Sequence, residues 1–93
     1  MKYYLHETRE NKYFKYGIQI LGTMLDFHDV RRWATDTYGI GDDIGRDEPI
    51  NNGHWAFFIK FQHYMIYLKG EEQLNWFKLK YGQEEWSFYL FLK

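Results

Sequence analysis

The sequence is poor in side chains that act as nucleophiles. It has no cysteine, and its serine, Ser87, stands in an alternating apolar segment outside any Gly-x-Ser-x-Gly turn. Acyl transfer needs a serine, cysteine or threonine that a neighbouring base activates. A carboxylate-rich segment from Asp42 to Glu48 is the one feature that favours an enzyme. We therefore predict a protein that is not an enzyme and has no catalytic residues.

Metal-ligand residues are present, but their spacing does not predict a metal site. The four histidines stand in four separate segments without an i, i+4 pair: His6, His28, His54 and His63. Asp26, His28 and Asp29 diverge around a helix, which favours cap and first-turn roles over metal binding. The acidic residues from Asp42 to Glu48 lack the alternation of a calcium loop and indicate a solvated loop. The sequence predicts no metal and no cofactor.

Aromatic and lysine side chains are the remaining groups with binding chemistry. Phe, Trp and Tyr make up 23% of the chain. Exposed rings stack on bases or partner side chains, while ammonium groups bind phosphates or carboxylates. Strand alternation predicts one open sheet face that carries Tyr13, Lys15, Gln19, Phe58, Lys60, Tyr67, Lys69, Tyr89 and Phe91. The candidate binding residues on it are Tyr13, Lys15, Phe58, Lys60, Tyr67 and Lys69.

Three interpretations of this face remain open. A packed second layer or a self-association surface is one, because large exposed apolar patches mark interfaces. Contact with a different protein is the second. The third is binding of single-stranded nucleic acid in the manner of an RRM, although no RNP1-like Lys/Arg-Gly-Phe run is present. The net charge of -1 also argues against DNA binding driven by bulk charge.

The elements that must position these residues follow from hydrophobic periodicity. Alternation predicts strands over Lys2 to His6, Tyr13 to Leu21, Trp55 to Phe61, Tyr64 to Lys69 and Trp86 to Leu92. Helical spacing predicts a first helix from an N-cap at Asp26 to a stop at Gly39, with Phe27, Val30, Trp33, Ala34 and Tyr38 as its buried stripe. A second helix begins at Glu71 and ends at Gly82, with Leu74, Phe77 and Tyr81 buried.

This order of elements predicts a single α+β domain over residues 1–93. Counted from Tyr13 it is the ferredoxin-like βαββαβ arrangement, an antiparallel sheet with two helices on one face, and it has an extra N-terminal strand. The segment from Gly39 to Gly53 contains four glycines and the proline, which predicts a long loop. That loop is either a mobile recognition element or a flap that Ile40, Ile44 and Ile50 hold against the domain.

Composition also bears on the compartment. The absence of cysteine favours a reducing environment. The N-terminus lacks the apolar run of a signal peptide, and no stretch approaches the roughly 20 apolar residues that cross a bilayer. We expect a cytoplasmic protein without a membrane partner.

One stretch of the chain is similar to known proteins. From Trp55 to Gly82, an aromatic strand, its hairpin partner and the segment GEEQLNWFKLKYG resemble small uncharacterised proteins of T4-like bacteriophages. The resemblance implies a protein that acts by binding host or phage proteins. It implies no catalytic residue.

Overall fold

The computed structural model describes residues 2–8, 12–46, 48–60 and 63–82. Its helices and strands are β1 (Lys2–Glu7), β2 (Tyr16–Leu21), α1 (Met24–Tyr38), β3 (Asp42–Asp43), β4 (Trp55–Lys60), β5 (His63–Leu68) and α2 (Glu71–Tyr81). The strands form one sheet in the order β1, β2, β5, β4, β3. This confirms the predicted α+β class, with two helices and a strand at the N-terminus.

The sheet is mixed rather than wholly antiparallel, which corrects the prediction. β1 with β2, β2 with β5 and β4 with β5 are antiparallel, whereas β3 runs parallel to β4. The reason is that Asp42 and Asp43, inside the segment predicted to be a loop, lie alongside Ala56 and Phe57. The strand order also differs from the ferredoxin-like prediction, because the extra strand β1 is an edge strand that pairs with β2. The predicted strand from Trp86 to Leu92 lies outside the described residues.

Helix α1 begins three residues earlier than predicted. Thr23, not Asp26, is its N-cap. The Thr23 hydroxyl accepts a hydrogen bond from the Asp26 N–H at 3.4 Å, and the Asp26 carboxylate accepts one from the Thr23 N–H at 3.0 Å. This reciprocal pair is a capping box with Asp in the place of the usual Glu. Gly39 ends the helix as predicted, with a φ of 93° that favours glycine.

Helix α2 has the predicted limits and contains one buried polar residue that the periodicity does not predict. Gln73 is 5% exposed. Its Oε1 accepts a hydrogen bond of 3.1 Å from the backbone N–H of Gly70, and its Nε2 lies 3.1 Å from Nδ1 of His54. The side chain thus caps α2 and joins it to the residue before β4. Both ends of the amide have partners, so its burial is tolerated.

Both helices pack on the same face of the sheet. The Phe27 ring of α1 stacks on Tyr64 at a centroid distance of 5.3 Å, and Phe77 of α2 meets Tyr3 edge to face at 4.9 Å. Burial of one such ring stabilises the fold by about 1.5–3 kcal/mol. The predicted stripe of α1 is confirmed, with Phe27, Val30 and Ala34 buried and Trp33 and Tyr38 packed against the same core.

Candidate functional site

The register of the strands defines the side of the sheet that faces away from the helices. Met65 lies opposite Gln19 on one neighbouring strand and opposite Phe58 on the other, and His63 lies opposite Lys60. Side chains at directly opposed positions project from the same side of a sheet. The side that carries Gln19, Phe58, Lys60, His63, Met65 and Tyr67 is called the outer face below.

A depression of about 260 Å³ lies in the outer face. Its described lining residues are Phe58, Lys60, His63, Met65 and Tyr67. The structure therefore brings together three of the predicted binding residues, Phe58, Lys60 and Tyr67. His63 and Met65 were not among them, although their spacing of four and two residues, respectively, from Tyr67 along one strand places them on the same side.

Tyr67 forms one side of the depression and is half-buried. The Phe14 ring, which is 1% exposed, tilts against it at a centroid distance of 6.4 Å. Burial raises the pKa of the Tyr67 phenol above its ordinary value. At neutral pH this group is therefore an uncharged hydroxyl that both donates and accepts hydrogen bonds.

Phe58 connects the depression to the loop between α1 and β4. A β-carbon added at Gly45 would lie 2.7 Å from Cε2 of the Phe58 ring. The main chain at Gly45 thus rests on the ring, and only glycine permits this close approach. The loop borders the candidate site.

The depression has a basic rim. Lys60 and His63 are exposed and stand opposite each other at the end of the β4–β5 hairpin. Nδ1 of His63 lies 3.4 Å from Nε2 of Gln19, which holds the imidazole over the outer face. Of the described residues that line the depression, none is acidic.

The other predicted binding residues lie elsewhere. Lys15 and Lys69 stand at the opposite end of β5, where the Lys15 N–H donates to the Lys69 carbonyl at 3.1 Å. The Lys15 ammonium is 3.6 Å from a Glu71 carboxylate oxygen, and Tyr16 and Glu71 raise the pKa of Lys15. Tyr13 is 55% exposed, with its ring 6.5 Å from that of Phe14. These three residues do not line the depression.

The loop from Gly39 to Gly53 is held by polar contacts. One carboxylate oxygen of Asp42 accepts hydrogen bonds from the backbone N–H groups of Asn51 and Asn52 at 2.9 and 2.8 Å. The Asn52 side chain donates to the carbonyls of Tyr38 and Ile40 at 3.0 and 3.1 Å. Of the three isoleucines predicted to hold the loop, Ile40 is 84% exposed and does not hold it, whereas Ile44 and Ile50 are part-buried. The anchors are Asp42 and Asn52.

Two further observations limit the kind of site. Within the described ranges, no three His, Asp or Glu side chains come close enough together to bind a metal ion. In the same part of the chain, neither helix has the length and apolar character that a membrane span requires.

Comparison with known proteins gives no relative. No family model, curated protein or solved structure matches this chain. The chemistry of the outer face is therefore the basis for a function.

Proposed function

We propose that this chain is a non-enzymatic, cytoplasmic interaction protein that binds another protein through the depression in the outer face. The observation that carries the proposal is that apolar side chains, Phe58 and Met65, line the depression together with Lys60 and His63. Apolar patches that polar residues surround mark protein interfaces. The resemblance to small phage proteins supports the same role.

The size of the depression favours a protein ligand over a small molecule. Sites for cofactors and drug-sized ligands measure about 300–1,000 Å³, and this depression is smaller, at about 260 Å³. A space of that size suits a single apolar side chain that anchors a partner. Met65 adds an unbranched, polarisable surface that adapts to different anchors.

The arrangement of the rings distinguishes this function from binding of single-stranded nucleic acid. Bases need flat, accessible rings on which to stack. The main chain at Gly45 covers part of the Phe58 ring, and the plane of the Tyr67 ring is inclined by 43° to that of Phe14. Tyr13, the exposed ring beside Lys12, lies outside the depression. The contacts on the outer face therefore support protein binding better.

A second proposal concerns the fold class of the chain. We propose that the fold is a variant of the ferredoxin-like class, in which β1 pairs with β2 and the short parallel strand β3 is added beside β4. Along the chain β2, α1, β4, β5 and α2 follow in the order of that class, and β5 lies between β2 and β4. An experimentally determined structure of the whole chain tests the assignment through the order of all its strands.

Site-specific photo-crosslinking tests the proposed function. A photoreactive amino acid at position 60, on the rim, is compared with the same residue at position 80, which is exposed on α2. We expect protein adducts from position 60 in bacterial cells and few from position 80. Mass analysis separates a second copy of the chain from a different protein. Equal labelling at both positions, or none at position 60, would contradict the proposal.

A further inference from the structure

We infer that Asn52 is a site of spontaneous deamidation, that the folded loop controls the rate, and that the modification releases the loop. Of the four asparagines in the sequence, Asn52 is the one that precedes a glycine. Glycine has no side chain to shield its backbone nitrogen and leaves the backbone free to rotate, so this nitrogen reaches the preceding side-chain amide most readily. The site lies between α1 and β4 and does not depend on the proposed function.

The reaction uses groups of the chain and water. The backbone nitrogen of Gly53 attacks Cγ of Asn52 and forms a five-membered succinimide ring. The bond between Cγ and Nδ2 breaks, and Nδ2 leaves as ammonia with the proton of the attacking nitrogen. Water then opens the ring at either of its carbonyls and leaves aspartate or isoaspartate at position 52. No oxidant or reductant takes part, and the chain gains a negative charge.

The folded loop holds the Asn52 amide in place. Nδ2 donates hydrogen bonds of 3.0 and 3.1 Å to the carbonyls of Tyr38 and Ile40, and Oδ1 accepts one of 2.9 Å from the His54 N–H. Ring closure requires the amide to turn toward Gly53 and Nδ2 to leave its partners. The rate in the folded protein is therefore the fraction of molecules with an open loop multiplied by the rate of the open chain.

Gly53 lies in open space. It is exposed, and an added β-carbon at this position would meet nothing within 4 Å. Water therefore has access to the backbone at which the succinimide forms. The same space allows Gly53→Ala to keep the folded loop intact while the added methyl group hinders ring closure. This variant separates the chemistry of the site from the stability of the loop.

The product no longer anchors the loop. An ionised carboxylate has no hydrogen to donate, so the carbonyls of Tyr38 and Ile40 would lose their shared donor and face a negative charge. The new carboxylate would also stand near an existing one, since the backbone N–H of Asn52 donates to Oδ2 of Asp42 at 2.8 Å. Both effects favour the open loop over the closed one.

Incubation of the full chain at mildly alkaline pH, followed by proteolysis and peptide mass spectrometry, tests the site. We expect aspartate and isoaspartate to accumulate at position 52, while Asn75, which is exposed on α2 and precedes a tryptophan, stays intact over the same time. Asp42→Ala, checked for folding by circular dichroism, should raise the rate at position 52 by about tenfold, because it removes a charged acceptor that closes the loop. Gly53→Ala, the matched control, should suppress the reaction.

A second measurement covers the case in which Asp42→Ala does not fold. Urea at concentrations below the unfolding transition should accelerate the reaction at position 52 of the wild type. Equal rates in the native and the unfolded wild type, or an unchanged rate in folded Asp42→Ala, would overturn control by the loop. Absence of product at position 52 from the unfolded chain, or an equal rate in Gly53→Ala, would overturn the site itself.

The effect of the product on the loop is measured with Asn52→Asp, which has the side chain of the aspartate product. We expect this variant to melt at a lower temperature than the wild type. Asn75→Asp, the same chemical change at an exposed position of α2, should melt close to the wild type. Equal melting temperatures of Asn52→Asp and the wild type would overturn release of the loop.

Discussion

The indole N–H of Trp55 donates a hydrogen bond of 2.8 Å to the carbonyl of Gly39. Trp55 is 1% exposed and is the first residue of β4, while Gly39 is the residue that ends α1. A buried indole N–H needs such a partner. The bond therefore attaches the beginning of the loop to a core residue, although the glycines of the loop predict mobility.

We predict that Gly41→Ala destabilises the protein. An added β-carbon at this position would lie 2.5 Å from Cε2 of Trp55. Because the indole is buried and hydrogen-bonded, it has little room to move, and such overpacking costs about 1–3 kcal/mol. Urea denaturation measures the loss. The matched control is Gly53→Ala in the same loop, where an added β-carbon meets nothing within 4 Å. Equal stability of the two variants would contradict the prediction.

The carboxylate of Asp42 is predicted to hold the loop closed. Asp42→Ala removes the acceptor for the Asn51 and Asn52 N–H groups and should lower the free energy of unfolding by about 1–3 kcal/mol. Asp36→Ala, at an exposed position of α1, should change it by no more than about 0.5 kcal/mol. For the same reason, deletion of residues 42–48 should broaden or abolish the thermal transition. A deletion variant that melts within a few degrees of the wild type would restore the view of the loop as an independent recognition element.

Arg31 is predicted to contribute to stability through an aromatic ring. Its guanidinium carbon lies 4.0 Å from the centroid of Phe57 and 5.8 Å from that of Phe27. Loss of a cation–π contact in Arg31→Ala should cost about 0.5–2 kcal/mol. Arg32→Ala, the exposed neighbour on α1, is the control and should have a smaller effect. Chemical denaturation of both variants gives the comparison, and a larger loss for Arg32→Ala would rule out the contact as the cause.

His6 is predicted to make the fold sensitive to acid. Burial lowers its pKa below the ordinary value of 6.5. The unfolded chain therefore takes up the proton before the folded chain does. This histidine weakens the fold progressively as the pH falls through 6.5 toward the folded-state pKa, and its contribution is constant well above 6.5. The melting temperature of the wild type should fall more between neutral and mildly acidic pH than that of His6→Gln. Parallel pH profiles would contradict this.

Periodic patterns predicted the elements that are buried on one side. Leu74 and Phe77 are buried against the core, as their spacing predicts, and so are Trp55, Ile66 and Leu68 on the core side of β4 and β5. Ala56 and Met65, on the other side of the same strands, are buried as well. The position of β3 depends instead on hydrogen bonds between Asp42 and Asn51 and Asn52, which join residues about ten positions apart and leave no periodic signal.

Strand alternation also predicted part of the candidate site. Phe58, Lys60 and Tyr67 share the outer face because they stand at alternating positions within regular strands. Lys15 and Lys69 continue that alternation in the sequence, but they stand beyond the ends of β2 and β5, where the chain leaves the sheet and Lys15 turns toward Glu71. His63 gave no apolar signal, and its place on the rim depends on where β5 begins.

The buried amide of Gln73 determines where the proton of a neighbouring imidazole ring resides. The backbone N–H of Gly70 can only donate, so the oxygen of the amide must face it and the NH₂ group must face His54. Nδ1 of His54 is then the acceptor, and the neutral ring carries its hydrogen on Nε2. Nitrogen-15 chemical shifts of the imidazole at alkaline pH should show this tautomer in the wild type and a mixture in Gln73→Leu, so a side chain at the start of α2 sets the chemical form of a ring that precedes β4.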